Sequence, residues 1–443
     1  MSSYVRRKTQ GDTDWFVHDR FGMFIHFGLY AMPARHEWIK KMEQIPDKIY
    51  DRYFENFNPD MFDAREWAKA AKNAGMKYAV LTVKHHEGFC LFDTKYTDYK
   101  ITNTPFGRDL VREYVDAFRA EGLEIGFYYS LIDWHHPDFP IDVKHPLARD
   151  LNAEEDDKKR DMKKYAQYMR NQITELLTNY GKIRILWFDF SYHNAEKDPC
   201  YKPWMQFGGG KGKDEWESEK LIATARSLQP WLIIDNRTDV EQDLSTPEQY
   251  QIQEWPRNED GTYRTWEACQ TFSGSWGYYR DEQTWKSPRM LLEMLIKTVS
   301  LGGNLLMNVG PCARGYFDNR AMNALDAFGK WMKYNSRSIY GCTMAEPEFK
   351  APEGTLLTQS EDGSRLYIHL LIYPFGTLTM ENLGGKIRYA QFLNDASEIR
   401  YNIGKKPPVA GDNFGTVDTE TVIFKLPAVK PDTEIPVIEI LLK

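Results

Sequence analysis

The chain has 443 residues and a formal net charge of −7, without the basic tracts typical of proteins that bind nucleic acid or anionic membranes. Its length exceeds that of one ordinary domain and predicts a large domain followed by a smaller one. Aromatic residues make up 14% of the chain, which suits stacking on sugar rings and equally suits an aromatic-rich core.

The cysteines and the N-terminal residues bear on the compartment. The five cysteines are scattered and odd in number, which argues against a disulfide framework and favours a reducing environment. Residues 1–13 are polar and lack the apolar segment of a signal peptide. No run of about 18 apolar residues indicates a membrane span. We therefore expect a cytoplasmic protein, with a periplasmic or secreted location as the alternative if a leader has been removed.

Apolar strand-like runs alternate with helical patterns through the first three-quarters of the chain. Strands are predicted at 22–29, 78–83, 123–129, 183–188, 231–235 and 305–309. Helices are predicted at 63–75, 109–121, 153–180 and 217–227, from Ser287 onward, and at 319–333. Strands that are apolar throughout form parallel sheets covered on both faces. The sequence therefore predicts a (β/α)8-like barrel over residues 1–342.

The pattern changes after Tyr340. Short strand-like runs separated by Gly and Pro turns follow at 355–358, 366–372, 377–380, 387–390, 421–426 and 437–442. They predict a small all-β sandwich over residues 343–443. The sequence leaves open whether this domain binds sugar or only supports the barrel, and we favour support.

Polar and aromatic residues stand at the ends of the predicted strands. In a (β/α)8 barrel the carboxyl ends of the strands form the active-site face. Asp189 is the leading candidate for a catalytic role, because an acid that ends an apolar strand is costly to bury unpaired. A loop cap or an ion pair to arginine is the structural alternative. The strand ends contribute His26, His85, His86, Tyr128, Tyr129, Trp187, Asp189 and Arg237.

The same residues give no indication of a metal or a nucleotide. His85 and His86 are adjacent, so their side chains point to opposite faces of a regular strand and make poor joint ligands. We expect no metal and no cofactor. The glycine-rich segment 207–213 lacks the form of a phosphate-binding loop, and no G-x-G-x-x-G follows the first strand, so a flexible loop is the favoured interpretation.

Several segments together resemble family 29 of the glycoside hydrolases, the α-L-fucosidases. The resemblance spans about residues 10 to 345 and depends on the order of the segments, since each is short. The matching segments are residues 15–30, Glu37-Trp38, 81–90, 127–130, 185–189, 235–237, 266–269, 275–278 and 302–310. It implies the same barrel-plus-sandwich fold and a retaining hydrolase that acts on terminal α-L-fucosyl residues of oligosaccharides or glycoconjugates.

The resemblance also implies roles for individual residues. Asp189 matches the family's nucleophile. The positions that match the sugar pocket are His26, Glu37, Trp38, His85, His86, Tyr129, Trp187, Arg237 and Trp276. Whether Tyr128 or Tyr129 faces the pocket depends on the phase of the strand, which the sequence does not determine.

The general acid/base is less well determined, since its position varies within the family. Thr246-Pro-Glu248 fits one pattern, 11 residues after Arg237, and makes Glu248 the favoured candidate over Glu267, Glu254 and Glu37.

Two alternatives of function stay open: a glycosidase for a related sugar such as an α-L-galactoside, and a carbohydrate-binding protein without catalysis. The sequence determines neither the linkage preference nor the oligomeric state, and a homo-oligomer is compatible with it.

Overall fold

A computed structural model describes residues 3–192, 210–404 and 419–443, which form a parallel barrel followed by two antiparallel sheets. Seven parallel strands make one sheet in the order β5-β4-β3-β2-β1-β7-β6. These strands are β1 Phe21–Ile25, β2 Tyr78–Lys84, β3 Glu124–Ser130, β4 Ile185–Asp189, β5 Ile233–Ile234, β6 Glu267–Thr271 and β7 Asn304–Val309.

The gap between the edge strands β5 and β6 is bridged by the segment 244–248. Leu244 pairs with Asp235 after β5, and Ser245 and Glu248 pair in parallel with Trp266 and Cys269 of the β6 region. Backbone hydrogen bonds from Leu244 N to Ile234 O (3.2 Å) and from Glu267 N to Ser245 O (2.9 Å) close the ring. This irregular eighth member completes the barrel, and the predicted (β/α)8-like fold is confirmed.

Helices surround the barrel, and their caps follow the sequence signals. Asp63, Asp109 and Ser287 each accept a hydrogen bond from a first-turn amide, as N-cap residues do. The helices are α1 Asp14–Asp19, α2 Ile39–Met42, α3 Asp47–Asn56, α4 Ala64–Asn73, α5 Leu110–Ala120, α6 Ala153–Asp157, α7 Met162–Asn179, α8 Ser218–Leu228, α9 Pro288–Ser300 and α10 Asn319–Asn335.

The predicted helix 153–180 is broken in the structure. α6 ends at Asp157, and α7 begins at Met162 after Asp161, whose carboxylate accepts hydrogen bonds from the amides of Lys163 and Lys164. An acidic side chain that captures free amides starts a new helix more favourably than it continues an old one. The charged run 154–161 therefore spans a helix break.

Two antiparallel sheets form the C-terminal part. Their strands are β8 Cys342–Met344, β9 Thr355–Ser360, β10 Arg365–Leu370, β11 Thr377–Met380, β12 Ile387–Phe392, β13 Tyr401–Ile403, β14 Val422–Lys425 and β15 Val437–Leu442. One sheet has the order β12-β15-β10-β9-β8 and the other β11-β14-β13. The predicted boundary at 342/343 falls within β8, which pairs with β9.

The interior of the barrel is a core of its own. Alternate residues of each strand point inward, among them Phe24, Tyr78, Tyr128, Trp187 and Cys269, and they pack as one cluster. The other alternate residues face the helices and form the larger core. The inward residues at the carboxyl ends of the strands are those that line the candidate site.

The remaining expectations concern single features. Cys90, Cys269, Cys312 and Cys342 are free and buried, and Cys200 lies outside the described residues, as does part of the glycine-rich segment, 207–209. None of the helices within the described ranges is long and apolar enough to cross a membrane.

Candidate active site

A cleft of about 370 Å³ opens at the carboxyl ends of the barrel strands, where (β/α)8 barrels carry their active sites. The cleft is lined by Phe24, His26, Glu37, Trp38, His85, His86, Tyr128, Trp187, Asp189, Phe190, Arg237, Glu248, Cys269 and Trp276.

Asp189 lies at the end of β4 near the base of the cleft, with a side chain only 12% exposed. Its Oδ2 accepts a hydrogen bond from Tyr128 Oη (2.7 Å), and its Oδ1 accepts one from Arg237 Nη1 (2.8 Å). His86 Nε2 lies 3.9 Å from Oδ2. The carboxylate of Asp189 is thus oriented at both oxygens, by the guanidinium of Arg237 at Oδ1 and by the hydroxyl of Tyr128 at Oδ2.

Glu248 lies at the mouth of the cleft on the segment that closes the barrel. Its side chain is 39% exposed, and Oε2 is 2.7 Å from Arg237 Nη1. Since the same nitrogen is 2.8 Å from Asp189 Oδ1, Asp189 Oδ1 and Glu248 Oε2 are at most about 5.5 Å apart. This limit includes the separation of about 5–5.5 Å between the two carboxyls of retaining glycosidases.

Arg237 itself is held from three sides. Its Nε and Nη2 donate to Thr246 Oγ1 (2.9 Å) and Thr246 O (3.1 Å), and its guanidinium carbon lies 4.4 Å from the ring centroid of Trp187. Because Thr246 and Glu248 belong to the same segment, this arginine ties the closing segment to the end of β4.

His26 and His86 present hydrogen-bond acceptors to the cleft. Burial lowers the pKa of both rings, to about 3 for His86, so both are neutral at neutral pH. Nδ1 of His26 is 2.6 Å from Asn308 Oδ1, and Nδ1 of His86 is 2.7 Å from Ser130 Oγ, whose hydroxyl donates to Ile132 O. With the proton placed on Nδ1 by these partners, each Nε2 is free to accept from a ligand hydroxyl.

His85 and Glu37 complete the polar wall. His85 is stacked on Tyr128, and burial lowers its pKa well below the ordinary value. Burial opposes ionisation of Glu37, but its interactions with His36 and the amide of Gly277 outweigh it and lower the pKa of Glu37 to about 2. Glu37 is therefore a carboxylate, and the wall offers several acceptors to a polyhydroxylated ligand.

Aromatic rings form the apolar surfaces of the cleft. Trp38 packs edge-on against His86 (4.9 Å between centroids), and Trp276 lies against His26 (5.1 Å). Asn308 Nδ2 donates to Trp276 O (2.7 Å) and so fixes the loop that carries this ring. The cleft thus combines aromatic rings with hydrogen-bond acceptors. This combination is expected of a site for a small sugar, which has both polar and apolar faces.

One predicted position requires correction. Tyr129 does not line the cleft: it faces outward from β3, and its Oη donates to Gln172 Oε1 of α7 (2.7 Å). Tyr128, one residue earlier, faces the barrel interior and contacts Asp189. A shift of one residue along a strand exchanges the two faces, and a sequence of two adjacent tyrosines does not reveal the phase.

Two of the three alternative acids, Glu267 and Glu254, do not line the cleft, whereas Glu37 does. Glu267 is the first residue of β6, is fully buried, and accepts a hydrogen bond from Tyr78 Oη (2.5 Å). Glu254 is exposed outside the cleft. All other predicted site residues are brought together: His26, Glu37, Trp38, His85, His86, Trp187, Asp189, Arg237, Glu248 and Trp276.

Besides Tyr128, three lining residues were not among the predicted site residues. Phe24 stands two residues before His26 on β1, so strand periodicity could have placed it on the same face. Cys269 follows the same rule along β6, but β6 itself was not predicted. Phe190 has a φ of 88°, a conformation rare for a bulky residue, and no sequence signal indicates it.

Within the ranges that the structure describes, no group of three or more His, Cys, Asp or Glu side chains is arranged to hold a metal ion. The carboxylates of the cleft are instead engaged by Arg237, Tyr128 and His36.

Comparison with protein families matches residues 3–337 of the chain to the alpha-L-fucosidase model. Among curated proteins, an alpha-L-fucosidase of Dictyostelium discoideum is 28% identical over 74% of this chain and 71% of its own length.

Solved structures agree along almost the whole chain. Alpha-L-fucosidase isoenzyme 1 from Paenibacillus thiaminolyticus is 44% identical, covers 97% of this chain and 98% of its own, and superposes with a TM-score of 0.87. An alpha-L-fucosidase from Bacteroides thetaiotaomicron, solved as a trapped covalent intermediate with 2-fluoro-fucosyl fluoride, is 25% identical over 100% of this chain and 99% of its own, with a TM-score of 0.79.

Proposed function

The chain belongs to the alpha-L-fucosidase family, and from this premise we propose that it is a retaining exo-α-L-fucosidase that removes terminal α-L-fucosyl residues from glycans. The observation that carries the proposal is the single nitrogen of Arg237 that contacts both Asp189 and Glu248 in one cleft. This contact keeps the two carboxyls within about 5.5 Å of each other, a limit that includes the spacing used in double displacement.

In this proposal Asp189 is the nucleophile. It attacks the anomeric carbon, and the glycosidic bond to the leaving oxygen breaks as a covalent fucosyl-enzyme forms. The guanidinium of Arg237 and the hydroxyl of Tyr128 hold its two oxygens and fix their direction. The trapped covalent intermediate of the Bacteroides relative supports the same course here.

Glu248 is the proposed acid/base. Its position at the exposed mouth places it where the leaving group departs and where water enters. In the first step it gives a proton to the leaving oxygen, and in the second it takes one from the attacking water. Protonation of Glu248 removes its charge and weakens its ion pair with Arg237. The guanidinium of Arg237 then interacts mainly with Asp189 during the attack.

The substrate class follows from the walls of the cleft. The acceptors of His26, His86 and Glu37 suit the hydroxyls of one sugar, and the rings of Trp276 and Phe24 suit an apolar group such as the C6 methyl of L-fucose. A purely apolar contact discriminates only modestly against an added hydroxyl. An α-L-galactoside is therefore the comparison substrate.

The test is hydrolysis of an aryl α-L-fucoside followed by NMR of the first product. We expect α-L-fucose to form first, with α-L-galactoside cleaved more slowly. Replacing Asp189→Ala should abolish turnover, and added azide should restore part of it as β-L-fucosyl azide. A β-configured first product, or wild-type activity in D189A, would refute the assignment.

A leaving-group series tests Glu248. In Glu248→Ala the first step should be nearly unchanged for a strongly activated phenol and should fall steeply for a fucosyl disaccharide, because only the poor leaving group needs the proton. A uniform loss across the series would remove Glu248 from this role.

A further inference from the structure

Glu267 is a buried acid for which the proposed reaction has no use. It begins β6, points into the barrel with 0% exposure, and stands two residues before Cys269, which lines the cleft. Residues two apart on a strand share one face. Glu267 therefore lies in the layer of side chains directly beneath the candidate site.

The hydrogen bonds around Glu267 suit a protonated carboxyl. Tyr78 Oη donates to Oε1 (2.5 Å), whereas Oε2 is buried without a hydrogen-bond partner among the described residues. Its register neighbour on β7 is Asn304, whose Oδ1 is also buried and unpartnered within that part of the chain. A proton on Oε2 would turn this buried oxygen into a donor, whereas a carboxylate would leave Oε2 and Asn304 Oδ1 as two buried acceptors without a donor.

The neighbouring elements offer Glu267 no counter-charge. The titratable groups nearest to it are Tyr78 on β2, Asp235 after β5 and Cys269 on β6; burial is the main cause that raises the pKa of each. Asp19 and Arg20 interact electrostatically with Tyr78 at the bottom of the barrel, and Arg237 interacts electrostatically with Asp235 and Cys269 at the top. Burial raises the pKa of Glu267 itself to about 8.

Trp187 connects this acid to the cleft. The Trp187 ring lines the cleft and lies beneath the guanidinium of Arg237. It is also close enough to Glu267 to influence the pKa of that carboxyl. The indole N–H has no partner that meets hydrogen-bond geometry within the described residues. A negative charge on Glu267 would attract this N–H and the Tyr78 hydroxyl and so displace the ring beneath Arg237.

We propose that Glu267 is held as a neutral acid beneath the cleft and acts as a positioning residue for Trp187, so that its ionisation at alkaline pH lowers the activity. The proposal rests on the function given above. The step is a simple proton loss to solvent and requires no other reactant.

The test measures kcat/KM against pH on an aryl α-L-fucoside with a strongly activated phenol. This substrate needs no general acid in the first step, so ionisation of Glu248 does not contribute to the alkaline side of the profile. The wild type should lose activity as pH rises through about 8. Glu267→Gln, which is neutral at every pH, should keep activity within about threefold at pH 6 and lack the decline.

Two further variants sharpen the test. Tyr78→Phe removes a hydrogen bond that lowers the pKa of Glu267, so the decline should move to higher pH. Glu439→Gln, a buried acid of the sandwich, should leave the profile unchanged. An alkaline decline in E267Q at the wild-type pH, a wild type without one, or a loss of more than about 1,000-fold at all pH values in E267Q would overturn the proposal.

Thermal unfolding tests the same idea without catalysis. A carboxyl whose pKa rises from 4.5 in the unfolded chain to about 8 in the folded protein loses its proton more readily on unfolding. Stability should therefore fall as pH rises between these two values. E267Q should show a smaller fall in Tm over this window than the wild type. Equal falls would contradict a neutral Glu267, even if the protein proved inactive on every fucoside.

Discussion

Arg237 determines the spacing of the two proposed catalytic carboxyls at the scale of single residues. It contacts Asp189, Glu248, Thr246 and the Trp187 ring at once, a combination that lysine cannot reproduce with one ammonium group. We expect Arg237→Lys to lower kcat/KM on an aryl α-L-fucoside by about 100- to 1,000-fold. Arg314→Lys, at an exposed ion pair, is the control and should be unchanged. A loss below threefold in R237K would show that the bridge is dispensable.

The two adjacent tyrosines of β3 form a matched pair. Tyr128→Phe removes the hydroxyl that donates to Asp189, so kcat/KM should fall about 10- to 100-fold while stability changes little. Tyr129→Phe leaves Gln172 Oε1 without its donor in the core. It should lower the free energy of unfolding by about 1–2 kcal/mol with kcat/KM unchanged. Kinetics and urea unfolding of both variants test the strand phase. A loss of kcat/KM in Tyr129→Phe together with a loss of stability in Tyr128→Phe would show that the phase is wrong.

Half of the cleft residues could be predicted because they follow apolar runs that are recognisable as strands, whereas Glu37, Trp38, Glu248 and Trp276 were predicted only from the resemblance to a family. Asp189, Arg237 and His26 are examples of the first group. The error at Tyr129 has a local cause: strand phase is set by packing, and here both phases offer a tyrosine. Phe190 was missed because its left-handed backbone conformation is imposed by the surroundings.

At the scale of elements, β6 and the closing segment were missed for a shared reason. Glu267-Ala-Cys-Gln-Thr271 contains polar residues at inward positions, so it lacks the apolar pattern of a buried strand. The barrel interior accepts Glu267 and Thr271 because Tyr78 and Gln249 donate hydrogen bonds to them. Among the strands that line the cleft, β6 is thus the one that sequence periodicity describes least well.

The break between α6 and α7 yields a prediction at this scale. Asp161→Ala removes the cap of α7 and should lower the free energy of unfolding by about 1 kcal/mol without changing kcat. Asp326→Ala, on the exposed face of α10, is the matched control and should change it by less than about 0.5 kcal/mol. Equal effects of the two substitutions in urea unfolding would argue that Asp161 is not a cap.

At the scale of the whole molecule, buried and partly buried polar contacts join the sandwich to the barrel. Glu439 of β15 is fully buried and accepts from Arg337 Nη2 (3.0 Å) after α10 and from Arg365 Nη1 (2.9 Å) on β10. Trp331 of α10 donates to Ile435 O (2.8 Å). The contacts favour the supporting role expected for the domain and give no separate indication of sugar binding.

A substitution at this junction should affect stability alone. Glu439→Ala leaves two arginines without their partner and should lower the free energy of unfolding by about 2 kcal/mol, discounted because both arginines are partly exposed. The value of kcat/KM at 25 °C should stay within twofold. A change in kcat/KM without a change in unfolding would indicate that the junction communicates with the cleft.

The most direct measurement for the central claim is covalent labelling of the nucleophile. The Glu248→Gln variant would be incubated with 2-deoxy-2-fluoro-α-L-fucosyl fluoride, digested and analysed by mass spectrometry. The fluorofucosyl group should be found on the peptide that contains Asp189, at that residue. A label on Asp235, Glu267 or Glu37, or on no acid at all while the wild type is active, would contradict the account.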